Sequence, residues 1–73
     1  MSLKQEFEHV LIPAVKRMRD GEIKHLEQLT DALSHRNANT ILVTSFIRTS
    51  KRHLAHYEQR LDEYIKYAQG LTD

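Results

Sequence analysis

The sequence predicts an all-α protein, and three observations carry that prediction. Glycine (two) and proline (one) are scarce in the 73 residues, so little interrupts a helix. Leu, Glu, Lys, Arg and Gln, which lose little freedom in a helix, are abundant. Apolar side chains also recur at spacings of three and four along most of the chain. The architecture this implies is an antiparallel helical hairpin of two to three helices. Its first arm is kinked or broken, and two copies pair as a dimeric four-helix-type bundle. Residues 1–73 form one domain, with helices at about 2–19, 22–35 and 40–69.

The first helix rests on Leu3, Phe7, Val10, Leu11, Ala14, Val15 and Met18, one stripe on a helical wheel. Ser2 can cap it. Pro13 removes one backbone hydrogen bond and should kink the helix near Val10 or restart it at Ile12. The sequence "RDGE", residues 19–22, signals a kink or a turn. Ile23, Leu26, Leu29, Thr30 and Leu33 then continue a second stripe. Joined across a mere kink, the stripes read Leu11, Val15, Met18, Glu22, Leu26, Leu29 and Leu33, with one stutter. "SHRNANT", residues 34–40, reads as a loop that ends in a helix cap at Asn39 or Thr40.

The third helix has the strongest pattern. Val43, Ile47, Ser50, Leu54, Tyr57, Leu61, Tyr64, Ala68 and Leu71 repeat at four and three without a slip, which makes four heptads of a and d positions. This is the core or dimer seam, widened by Phe46 and Ile65, and Gly70 ends the helix. Ser50 is the polar member of the seam and can set helix distance or register. Because 73 residues supply little core, apolar surface remains to be covered, and a second copy is the simplest cover. With no cysteine, neither disulfides nor a thiolate zinc site can help.

The formal net charge is +1, too small for a strong overall field, but its distribution is uneven. Residues 32–57 hold Arg36, Arg48, Lys51 and Arg52 and no acid, and the segments on either side are slightly acidic. These four are the candidate nucleic-acid contacts. No zinc finger, interleaved aromatic set or helix-turn-helix spacing accompanies them. An antiparallel hairpin places Glu27 across from Arg48, where it could neutralise it.

Metal chemistry enters through "EFEH" and "EIKH", which match the Glu-x-x-His spacing of carboxylate-bridged metal bundles. At about 100° per residue, His9 points away from its stripe and His25 falls well to one side. Glu22, His53 and His56 are left as metal candidates. A hairpin turning at residues 36–39 sets Glu22 opposite His53, where a Glu–His contact is the ordinary outcome. No cofactor is expected. No nucleophile–base pair in a pocket and no glycine-rich phosphate loop is visible, so the chain is expected not to be an enzyme. "MSLKQEFEHV" has charges where a secretion signal needs an apolar run, and the expectation is a cytoplasmic protein that does not enter a membrane. The functional expectation is a homodimeric helical protein that binds another macromolecule, a protein, as a regulator or adaptor. The alternative is a weakly basic nucleic-acid-binding dimer, and after it a His/Glu metal-binding bundle.

Overall fold

The computed structural model describes residues 2–35, 37 and 39–72. It is an all-helical antiparallel hairpin, about 56 Å long and 15 by 11 Å across. Arm one comprises α1 (Leu3–Glu6), a π-turn (Phe7–Leu11) and α2 (Ile12–Ala32); arm two is α3 (Thr40–Gln69).

Ser2 starts arm one with a reciprocal cap. Its hydroxyl accepts from the Gln5 N–H at 3.1 Å, and its own N–H donates to the Gln5 side-chain oxygen at 3.0 Å. The π-turn follows from Pro13, the second residue of α2. Proline has no N–H for the His9 carbonyl, and its ring crowds that carbonyl in an ordinary α-turn. The backbone widens by one residue, and the Ile12 N–H bonds to the Phe7 oxygen.

The wide turn resets the rotational phase. Ile12, which stands outside the predicted stripe, is only 8 % exposed. Val10 and Met18, expected inside, are 47 % and 48 % exposed. The inward line of α2 runs Ile12, Val15, Arg19, Glu22, Leu26 and Leu29, every member buried or half-buried. This line has no stutter, because the slip is taken up in the π-turn.

"RDGE" breaks nothing. The expected helices 2–19 and 22–35 are parts of one arm, and α2 passes through Gly21 to end at Ala32. A mid-helix glycine costs about 1 kcal/mol relative to alanine. The apolar seam on both sides outweighs that, and Asp20 is held by its neighbour Arg19, whose Nε and Nη2 donate at 3.2 and 3.1 Å.

α3 has the expected bounds. Asn39 caps it, its Oδ1 accepting from the Leu42 N–H at 3.1 Å. Asn39→Ala should therefore lower stability by about 0.5–2 kcal/mol, read as a fall in melting temperature; an unchanged melting curve would mean the cap is idle in solution. At the far end Lys66 donates to Asp62 at 2.9 Å. That hydrogen bond, followed by the carboxylate's charge, raises the lysine above its ordinary 10.5. The small contribution is complete below that value and is lost as pH rises through the raised one.

The core lies toward the termini. Ile12, Val15, Leu61 and Ala68 are buried together, with Phe7, Tyr57, Tyr64 and Ile65 packed against them. The Phe7 ring meets Tyr64 edge-on at 5.3 Å and Tyr67 at a tilt at 5.0 Å, so the π-turn docks on α3 through aromatic contacts. Toward the loop, Leu26, Leu29, Val43 and Ile47 are half-buried.

Candidate functional site: a polar layer and an uncovered flank

The heptad line of α3 brings Ser50 across from Glu22. The Ser50 hydroxyl, in a residue only 2 % exposed, donates to Glu22 Oε1 at 2.6 Å. His53 Nδ1 lies 3.6 Å from the same oxygen, on the solvent side, an ion pair when the imidazole is protonated. The register thus places Glu22 beside His53 as well as Ser50. A hydrogen bond to a carboxylate is among the stronger kinds, and it satisfies two groups the seam would otherwise bury unpaired.

Serine, carboxylate and imidazole stand in a row with the carboxylate in the middle. Activation of a nucleophile needs the imidazole on the hydroxyl. Here the carboxylate occupies that place, so the geometry joins the arms and fixes their register. His56 turns away, toward the Tyr57 ring at 6.4 Å. Among the described residues no group of three or more His, Cys, Asp or Glu side chains converges as a metal would require. Glu22 and His53 are together; His56 is not with them.

The seam residues of α3 are spent within the hairpin. Ser50, Leu61 and Ala68 are buried, and Val43, Ile47, Leu54, Tyr57, Tyr64 and Leu71 are half-buried. Of the candidate nucleic-acid contacts, Arg48, Lys51 and Arg52 are exposed and form no ion pair among the described residues. Glu27 does not neutralise Arg48. Arg36 lies outside the described residues.

Part of the uncovered apolar surface lies to one side, while Leu3, Val10, Ile23, Leu33 and Ile41 are exposed outside it. Leu11, Ala14, Met18, Gly21, His25, Gln28 and Ala32 repeat at three and four beside the seam of α2, and none carries a permanent charge. On α3 the matching line is Leu42, Phe46, Thr49, His53, His56, Arg60, Glu63 and Tyr67, apolar at its two ends. In antiparallel helices, residues displaced from their seams in the same rotational sense lie on the same side. The two lines therefore form one flank, the side on which His53 meets Glu22. Met18, Phe46 and Tyr67 are 48 %, 49 % and 54 % exposed on it. Lys16, Asp20, Glu27, Arg48, Lys51, Asp62 and Lys66 fall on the other side by the same rotation, with Ile23 among them.

Sequence reasoning missed this flank. Its signal was present as a second heptad line one position from the first, but the phase could not be assigned without the π-turn. No helix among the described residues is long and apolar enough to cross a membrane. Compared with known proteins, the chain matched no family model, no curated sequence and no solved structure.

Proposed function

We propose that the chain is a non-enzymatic association module. Two hairpins pair into a four-helix-type bundle, and the bundle binds a further protein as a regulator or adaptor in the cytoplasm. The observation that carries this reading is the uncharged flank of α2 with Met18 at its middle, continued on α3 by Leu42, Phe46 and Tyr67. Contiguous exposed apolar surface rimmed by polar residues marks association sites. The cysteine-free composition suits a reducing compartment.

The partner class is tested by placing a photo-crosslinking residue in cells at Ile41, which is 86 % exposed and lies off this flank, and identifying the adducts. Adducts to one distinct protein support the adaptor role. Adducts to the chain alone reduce the function to self-assembly, and nucleic-acid adducts replace it.

A second reading has its own observation. Arg48, Lys51 and Arg52 form no ion pair among the described residues and stand on a stretch, residues 40–56, that contains no acid. Three to four phosphate contacts would make the logarithm of affinity fall with that of salt at a slope of roughly −3. Anisotropy titrations of duplex DNA and single-stranded RNA at two salt concentrations separate the readings. The protein-association reading predicts no saturable binding at micromolar protein near physiological salt; saturable, salt-steep binding that Lys51→Glu abolishes would establish the nucleic-acid one.

A further inference from the structure

We infer that the occupant of this flank is a second copy of this chain, packed antiparallel, with α2 crossing its counterpart at Met18. The inference rests on the association reading above and adds the surface, direction and register of the pairing.

The exposed area is the first argument. The chain exposes 5612 Å², whereas a compact monomer of its mass would expose about 4,700 Å². The excess, about 900 Å², is close to the roughly 800 Å² that each partner contributes to a standard interface. One further copy, seated on one flank, covers it.

Gly21 supplies the second. A Cβ built there would meet no atom within 4 Å, so nothing inside the hairpin requires a glycine, although α2 bears its helix cost. With Ala14 two turns earlier on the same line, it leaves a shallow strip on either side of Met18. A strip of that kind lets a second backbone approach closely, and Met18 can adapt to fill the remaining space.

Charge chooses the direction. Divided at Met18, the half of the hairpin nearer the loop, residues 19–56, holds Arg19, Lys24, Arg36, Arg48, Lys51 and Arg52 against Asp20, Glu22, Glu27 and Asp31, net +2. The half nearer the termini, residues 1–18 and 57–73, is net −1. Parallel stacking would set basic end on basic end. Antiparallel stacking sets each basic end beside the partner's acidic one, which favours the correct encounter and disfavours the other.

The register then follows from symmetry. A two-fold axis that stacks the flanks antiparallel lays α2 on α2 and α3 on α3. With the axis beside Met18, between it and Arg17 at the middle of arm one, Ala14 of one copy meets Gly21 of the other. On α3, Phe46 of one copy meets Tyr67 of the other. The two half-exposed aromatic residues of the flank thereby cover each other at both ends of the bundle.

Because the chain has no cysteine, single-cysteine variants report the register directly. Under mild oxidation, Met18→Cys should cross-link to itself. An equimolar mixture of Phe46→Cys and Tyr67→Cys should give the mixed dimer, and Phe46→Cys alone should give none. Circular dichroism confirms that each variant is helical, and all three positions are at least half-exposed or nearly so. A protein that sediments as a dimer but links Phe46→Cys to itself, or fails to give the mixed pair, overturns this arrangement and leaves the association reading standing. A monomer at every concentration overturns both.

Discussion

Leu61→Ala should cost about 2–5 kcal/mol, the largest single-residue loss available in this fold. Leu61 is one of four buried apolar residues, with Ile12, Val15 and Ala68. It is also the larger of the two that α3 contributes. Removing it empties the middle of the packed end and deprives Ile12 and Val15 of their contact across the seam. A chain of this length has roughly 4–11 kcal/mol of stability in all, so the variant should be largely unfolded at moderate temperature or low denaturant. Chemical denaturation followed by circular dichroism measures it. A loss below about 1 kcal/mol, outside the range for buried leucine truncations, would mean that the arms do not pack through this seam.

The second large effect concerns the polar layer. Ser50→Ala removes the hydroxyl that reaches Glu22 at 2.6 Å and leaves a carboxylate of 16 % side-chain exposure with His53 and limited water. The expected cost is about 1–3 kcal/mol. Glu22→Leu alone should also be unfavourable, because the Ser50 hydroxyl then lies against an apolar side chain. Both changes together should recover most of the loss, since replacing both partners by apolar groups leaves nothing buried and unpaired. The double-mutant cycle measures this as a favourable coupling larger than the scatter of independent sites, about 0.5 kcal/mol. Additive costs would show that Ser50 and Glu22 do not meet in solution.

The two arms were legible in the sequence to different degrees, for physical reasons. α3 could be read closely at both ends, about Thr40 and about Gln69, because a side-chain cap at Asn39 or Thr40 and uninterrupted heptads marked it. The Glu22–His53 neighbourhood followed from register alone. Ser50 was placed on the seam, but its bond to Glu22 depends on rotamers that spacing does not encode. Arm one was harder. Its stripe was traced at a constant rotation per residue, and the π-turn violates that assumption over Phe7–Leu11. The error left Ile12 off the stripe and put Val10 and Met18 on it. Pro13 did announce a disturbance, and the restart at Ile12 was one of its two expected forms. How the backbone would widen there depended on the Phe7 ring docking against Tyr64 and Tyr67, contacts about sixty residues away along the chain. Gly21 misled in another way, because a local breaker signal was weaker than the seam running past it.

Sedimentation equilibrium of the wild-type chain beside Met18→Glu tests the central claim most directly. At tens of micromolar the wild type should have twice the 8.6 kDa mass of one chain. Met18→Glu places a charge in the uncharged α2 line of that flank, at a half-exposed residue outside the buried cluster, so it should keep its helical signal and sediment as a monomer. A wild type that remains at 8.6 kDa, or a Met18→Glu variant that still sediments as a dimer, would contradict the account.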